Sequence, residues 1–291
     1  MRYLGCDQLE EIASEGTSLF AVCFETDRSK DHHRVCGAGP KPNYVFVSTR
    51  TSKLSAEARE LLPLHVAVIM DGNGRWAREH GLPRVEGHRR GAEAARAIIK
   101  AASEAGIRYL TLYTFSMENW NRPKSEVDAI MRYLAYYLKK EEDELNRSNV
   151  RLESIGQIHR LPETVQRQLK KTRSALAENS GLTLVLALSY GSRTEIVDAT
   201  RIIAEKAQSG QLNPADVNEQ LFSKHLYTHP IPDPDLLIRT SGEMRLSNFL
   251  LWQVSYAEMV VTPTLWPEFR KPQFHAALEE YAKRHRRFGK L

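Results

Sequence analysis

The stretch His65-Val-Ala-Val-Ile-Met-Asp71-Gly-Asn73-Gly-Arg75-Trp76 decides how the rest of this chain is read. Five apolar residues, Val66 to Met70, stop at a carboxylate, two glycines, an arginine and a tryptophan. The run is too short for a helix and rich in β-branched side chains, so it predicts a buried parallel strand. Asp71 then falls at the strand's C-terminal end, where open α/β sheets place their ligands. Gly72 and Gly74 let backbone N–H groups come close to an anion, and Arg75 offers a fork that matches phosphate oxygens. An acid beside an anion-binding loop suits an oxygen-ligated Mg²⁺ held jointly with substrate phosphates. An ordinary strand-to-helix turn capped by aspartate is the plainer alternative, and the clusters further along the chain weigh against it.

Working outward, strand and helix patterns alternate from Pro63 on. Strands are expected at 65–70, 107–115, 150–156, 182–190, 235–240 and 257–262, with helices near 88–105, 125–147, 162–179, 193–209, 215–226 and 271–287. Gly106 and Gly181 stand where helix C-caps are expected. This order predicts an α/β fold, a mostly parallel six-stranded sheet flanked by helices, forming a single domain over 63–291. Residues 1–62 lack sustained periodicity and read as a partly disordered N-terminal extension. The helix at 125–147 carries an apolar stripe that suits core packing and could also line a groove. Its acidic run Glu141 to Glu144 reads as a solvated face.

Two further clusters follow strand ends. Ser116, Asn119, Trp120 and Arg122 come after the second strand and offer donors with an apolar wall. Arg239, Gly242, Arg245 and Ser247 come after the fifth and form a second phosphate cradle. Arg84, His88, Arg89 and Arg90 open the helix at 88–105, whose N-terminus favours an anion. Glu258, at the start of the last strand, is a candidate second carboxylate for the metal. Two cationic cradles around one aspartate suggest two phosphorylated substrates. Neither a GxxxxGK[ST] loop nor a GxGxxG fingerprint is present, which argues against ATP and dinucleotides.

The chain has 291 residues and a net charge of +5. Residues 1–62 hold 8 Lys/Arg against 9 Asp/Glu, leaving 33 against 27 in the remainder, a net +6. Residues 270–291 hold seven basic side chains and two acidic ones. Such a tail can meet phosphates or an anionic membrane surface, while the lack of interleaved aromatics argues against nucleic acid. No apolar run reaches the length of a membrane span and no secretory leader is evident, so a cytoplasmic protein is expected. The three cysteines lie within the first 36 residues and give no disulfide framework. The spacing of Cys23, His32, His33 and Cys36 fits no standard zinc finger.

Together, the segments His65–Trp76, Arg84–Arg90, Thr111–Pro123, Ser189–Arg193, Ile238–Gln253 and Arg286–Gly289 resemble the cis-prenyltransferases, and among them the undecaprenyl-diphosphate synthase branch. The resemblance runs from about Pro63 to the C-terminus and leaves 1–62 outside. It implies condensation of isopentenyl diphosphate with an allylic diphosphate, farnesyl diphosphate, to give a long-chain polyprenyl diphosphate. Undecaprenyl diphosphate for a cell-wall lipid carrier is the product implied. It also implies Mg²⁺, a homodimer, and contact with the inner face of the membrane through the product.

By resemblance, Asp71 directs Mg²⁺ and is catalytic with Asn119. Gly72, Asn73, Gly74, Arg75, Arg84 and His88 surround the allylic diphosphate, with Trp76 packing on substrate. Ser116, Asn119, Trp120 and Arg122 belong to a loop that organises both substrates. Arg239, Arg245 and Ser247 hold isopentenyl diphosphate, and Glu258 supports the metal or an interface. An apolar cleft between the helices at 88–105 and 125–147 receives the growing chain, with Leu182 at its floor. Met244 replaces a frequent His, and Ser189 stands where Asn commonly precedes Tyr-Gly. A non-catalytic partner subunit of the same fold is a rival reading, but such subunits lose Asp71-type and glycine-loop residues that are kept here. A metal-dependent phosphohydrolase is another.

Overall fold

The computed structural model describes residues 54–284, so the cysteines, the bulk of the extension and the Arg286–Gly289 motif lie outside the described residues. In chain order the elements are α1 (Ala56–Glu60), β1 (His65–Ile69), α2 (Asn73–Glu79), α3 (Arg84–Ala105), β2 (Tyr109–Ser116), α4 (Lys124–Arg147) and β3 (Arg151–Ile155). They continue with α5 (Glu163–Ala175), β4 (Thr183–Tyr190), α6 (Ser192–Gln208), α7 (Glu219–Ser223), β5 (Leu236–Arg239), β6 (Glu258–Val261) and α8 (Lys271–Ala282). All six expected strands form, and every pairing between them is parallel.

The sheet order is β3-β4-β2-β1-β5-β6. β1 therefore lies between β2 and β5, and the sheet grows away from it in opposite directions. Such a reversal opens a crevice at the C-terminal strand ends. Each residue of β1 is buried, as a strand covered on both faces requires. Successive side chains go to opposite faces: Val66 and Val68 join the larger core with Ile98, Val127, Leu169 and Phe274, while Ala67 and Ile69 join Val185, Leu237 and Phe249 beyond.

Helix boundaries differ more from expectation. α3 begins at Arg84, one turn before His88, and ends at Gly106, whose φ of 86° is the left-handed cap expected there. α5 stops at Ala175 with Leu176 as its cap, so Gly181 lies in the connection to β4 and caps nothing. Instead, a Cβ on Gly181 would lie 2.4 Å from the Asn149 carbonyl oxygen. The helix expected at 215–226 is only the 3₁₀ turn Pro214–Asp216 followed by α7.

The boundary at 62/63 also moves. Leu54 and Ala58 are buried in the main core, and the Ser55 N–H donates to Glu279 Oε1 of α8 at 2.6 Å. Residues 54–60 thus pack as part of the folded domain. Among the described residues, no helix is long and apolar enough to cross a membrane.

Candidate active site

After β1 the chain turns at Gly72, whose φ of 110° is open to glycine and strained for other residues, and enters α2. The sequence suggested a loop here. The seven residues become helical because Trp76 and Ala77 bury against Leu265. No side chain caps this helix start, and its first residues Asn73, Gly74 and Arg75 line the crevice. Gly72 itself donates its N–H to Asp71 Oδ1 at 2.7 Å. α2 lies close against α3 at Gly87, where a Cβ would be 2.0 Å from the Asn73 carbonyl oxygen.

Asp71 and Arg239 meet at the switch between β1 and β5. In register, Ile69 faces Arg239, and Asp71 reaches back so that Oδ2 accepts from Arg239 Nη2 at 2.9 Å. Arg239 is 4% exposed, whereas the Asp71 side chain is 36% exposed and open to the crevice. Thr240, fully buried, accepts from the Asp71 N–H at 2.9 Å and donates to the Asp71 carbonyl at 2.6 Å. The other arm of Arg239 donates to Ser247 Oγ at 2.8 Å and to the Arg245 carbonyl. The expected symmetric cradle of Arg239 and Arg245 is therefore divided. Arg239 is a buried strut between Asp71 and the 245–247 turn, and Arg245 is 72% exposed and paired with Glu243 at 2.8 Å.

Two glutamates that sequence reasoning passed over gather the remaining cations. Glu126 Oε1 lies 3.0 Å from Arg122, 3.2 Å from His88 and 3.8 Å from Arg84. Glu243 joins Arg75 at 3.2 Å and Arg245 on its other oxygen. Burial pushes the Glu126 carboxyl up, but the His88 hydrogen bond and the Arg122 and Arg84 charges outweigh it, so the group is held below the ordinary value. Burial lowers His88, and the contact with Glu126 only partly opposes that. The i,i+4 spacing of Arg122 and Glu126 was the one local signal for this hub.

The pocket so formed holds about 840 Å³ and is lined by Asp71, Gly72, Asn73, Gly74, Arg75, Arg84, His88 and Arg122. Below it, sharing Met70, Asn73 and His88, an apolar cavity of about 540 Å³ runs between α3 and α4. The expected cleft thus exists, floored by Leu145, Val150, Leu152 and Leu184. Leu182 is not among its walls. It lies on the same face of the sheet, buried two residues beneath Leu184, so the floor assignment to Leu182 is corrected.

Other expected contacts also change. Trp76 is buried, donates to Glu268 Oε1 at 3.1 Å and stacks on His80, so it supports α2 rather than lining either cavity. Trp120 turns to Ser189 Oγ at 3.0 Å and packs edge-on against Phe115. Ser116 and Asn119 close a capping box on the 3₁₀ turn Met117–Asn121, with the Ser116 N–H donating to Asn119 Oδ1 at 3.2 Å. Neither lines the pocket. Met244 is 67% exposed.

Glu258 does begin β6, and that places it at the wrong end. It is level with Leu236 and Val66, five residues short of Asp71, or roughly 16 Å along a strand. Its carboxylate pairs with Arg284 at 2.9 Å. It therefore cannot share a metal with Asp71 of the same chain.

A hydrated divalent cation fits the donor set that remains. Asp71 offers one carboxylate open to the crevice, whereas the unpartnered Asn73 Oδ1 is packed against Gly91 of α3. No group of three or more His, Cys, Asp or Glu able to hold a metal occurs among the described residues. One carboxylate with waters and substrate oxygens is the arrangement Mg²⁺ favours.

A cationic pocket set against a long apolar cavity is the build of an enzyme that handles an anionic head and a hydrocarbon tail. A family model described as putative undecaprenyl diphosphate synthase matches residues 69–289. The chain is 51% identical over 230 residues to an isoprenyl transferase of Porphyromonas gingivalis, covering 79% of this chain and 91% of that protein. It is 47% identical over 255 residues to that of Heliobacterium mobile, covering 86% and 98%.

Among solved structures it is similar to lavandulyl diphosphate synthase from Lavandula x intermedia in complex with dimethylallyl diphosphate. The TM-score is 0.78 at 41% identity, over 79% of this chain and 100% of the other. A probable undecaprenyl diphosphate synthase from Campylobacter jejuni matches with a TM-score of 0.65 at 34% identity, over 78% and 99%. The chain belongs to the undecaprenyl diphosphate synthase family of prenyltransferases, enzymes of cis-prenyl chain elongation.

Proposed function

We propose that this prenyltransferase condenses isopentenyl diphosphate with farnesyl diphosphate, repeatedly and with cis geometry, to a long-chain polyprenyl diphosphate of the undecaprenyl type. The observation that carries this reading is the adjacency of the two cavities, which share walls at Met70, Asn73 and His88. An allylic diphosphate can rest its head among Arg75, Arg84, His88 and Arg122 while its tail enters between α3 and α4. Isopentenyl diphosphate takes the side of the crevice bordered by Arg245 and Ser247.

Breaking the allylic C–O bond builds negative charge on the departing diphosphate and positive charge on carbon. Fixed guanidinium groups at the head stabilise the first of these without reorganising. Asp71 would hold Mg²⁺, which when bound supplies Lewis-acid stabilisation of the diphosphate. Arg239 keeps that carboxylate oriented, and Thr240 fixes its backbone. The apolar walls exclude water from the tail of the allylic substrate. Asn119 serves in its capping box by holding the turn that carries Arg122. We take the active form to be a homodimer that meets the inner face of the membrane only through its lipid product.

The test is incubation with labelled isopentenyl diphosphate, farnesyl diphosphate and Mg²⁺, followed by separation of products by length. Labelled lipids longer than the starter support the reading. Release of phosphate without new carbon–carbon bonds would identify a hydrolase instead.

A further inference from the structure

The apolar cavity is bounded on its solvent side by the seam between α3 and α4. Among the described residues, two ion-paired stations tie these helices together. The upper one is Glu126 with Arg84 and His88, at the diphosphate pocket. The lower one is Arg96 of α3 with Glu141 of α4, and both of these residues also line the cavity. The acidic run on α4, which reads from sequence as a solvated face, thus contributes one member that turns to the seam. Its side chain is 18% exposed.

Depth along α4 locates the pair. Ile130 lines the upper cavity, Glu141 lies roughly 16 Å further down the helix, and Ser148 roughly 10 Å beyond that. Above the pair, Gly91, Ala92 and Ala95 leave room on α3 for a hydrocarbon. Below it the wall keeps Leu145 and Leu184 on the sheet side, but its open side turns polar, with Lys100, Ser103 and Glu144. A growing chain that passes the pair can fill only the space between that apolar floor and the polar rim, and any further length must part the two helices.

We propose that the Arg96–Glu141 pair is a latch across the α3–α4 seam that sets product length, making both residues specificity determinants of the elongation reaction. This rests on the function proposed above. With the latch closed, the lower seam resists widening, and an added isoprene unit is confined to the limited apolar volume above the floor of Leu145, Val150, Leu152 and Leu184. With it open, α3 and α4 separate below their upper station and admit more chain. Neither residue touches the diphosphate pocket, so the first condensation is not altered.

The experiment resolves dephosphorylated products by chain length, using farnesyl diphosphate, labelled isopentenyl diphosphate and Mg²⁺. It compares wild type with Arg96→Gln, Glu141→Gln, Arg96→Lys and the charge exchange Arg96→Glu/Glu141→Arg. Each Gln variant is expected to lengthen the dominant product by at least one isoprene unit. Arg96→Lys, which keeps the charge, and the exchange, which restores the pair, return it to wild-type length. The rate of the first condensation stays within about twofold throughout, as independence from the head site requires. Unchanged or shorter products from the Gln variants, or an exchange that does not restore length, overturn the latch alone. A wild-type chain that forms no carbon–carbon bond overturns the function and the latch with it.

Discussion

Replacing Gly87 by alanine sets two effects of known sign against each other. Gly87 lies inside α3, where alanine is favoured over glycine by about 0.8–1 kcal/mol in helix propensity. The added Cβ, however, would stand 2.0 Å from the Asn73 carbonyl oxygen and 3.3 Å from Ala77 Cβ. Carbon–oxygen contacts settle near 3.3–3.6 Å, so α2 and α3 must separate by roughly 1 Å or more. The obstacle is backbone, which cannot swing aside as a side chain tip can. Overpacking of this kind costs about 1–3 kcal/mol, and subtracting the propensity gain leaves a net loss of up to about 2 kcal/mol. For a domain of this size that lowers Tm by up to roughly 8 °C. The larger effect falls on catalysis, because the displaced carbonyl belongs to the Asp71–Arg75 turn. A displacement of about 1 Å there is expected to lower kcat/KM on the order of 100-fold. Differential scanning calorimetry and steady-state kinetics with labelled isopentenyl diphosphate check both. A Tm that rises, with unchanged kcat/KM, would show that propensity governs this position and that the close approach is not needed.

Asp71→Asn keeps an acceptor for Arg239 but removes the charge facing the crevice, so the fold should persist while turnover drops by more than about 100-fold; wild-type turnover at saturating Mg²⁺ would refute the metal role. Arg245→Ala should raise KM for isopentenyl diphosphate by roughly 10–100-fold, the worth of a charged hydrogen bond, with Tm unmoved because its pair with Glu243 is exposed. Lysine there should rescue only in part, and a change confined to farnesyl diphosphate would exchange the two sites. Burial lowers His65 from 6.5 to about 4, so the folded state keeps it neutral while the unfolded chain takes up a proton below 6.5. Stability is then complete above 6.5 and falls as the pH drops towards 4, by about 2 kcal/mol between pH 7.5 and 5, and urea midpoints that stay level over that interval would remove His65 as a contributor. Removing residues 1–60 should lower stability by about 1.5–3 kcal/mol relative to removing 1–53, since only the former strips Leu54 from the core; equal melting of the two would show that α1 contributes nothing.

β1, β4 and β5 were legible because a parallel strand covered on both faces leaves an apolar run, and the edge strands β3 and β6 were placed by their position between helical patterns. α2 was not. Asn73, Gly74 and Arg75 are poor helix starters, and the helix forms through the packing of Trp76 and Ala77 on Leu265, nearly two hundred residues away in sequence. The same holds for the glutamate hubs. Glu126 meets His88 across 38 residues, and Glu243 meets Arg75 across 168. Local spacing in the sequence reveals only Arg122, four residues before Glu126. The tryptophans misled for a related reason: beside an anion-binding turn an indole suggests a substrate wall, and both instead spend their N–H groups on internal acceptors. The error at Glu258 was avoidable. In a parallel sheet a residue that starts one strand lies at the opposite end from a residue that follows another, and that separates Glu258 from Asp71 without any coordinates.

Glu126, Glu243 and Asp71 together occupy the arginines that a diphosphate would seek. The cations of this site thus hold internal counterions. On the function proposed above, a substrate head would not enter a field of bare positive charge; it would compete with carboxylates already in place, and only the difference between the two anions would be realised as affinity. A glutamate displaced from its arginine would stay tethered alongside, with its charge restored to the crevice. Elongation needs pyrophosphate to leave after every unit added, and a tethered anion waiting to return to its arginine competes for that arginine on every cycle. A site built from free arginines would grip its spent leaving group; this one carries its own eluent.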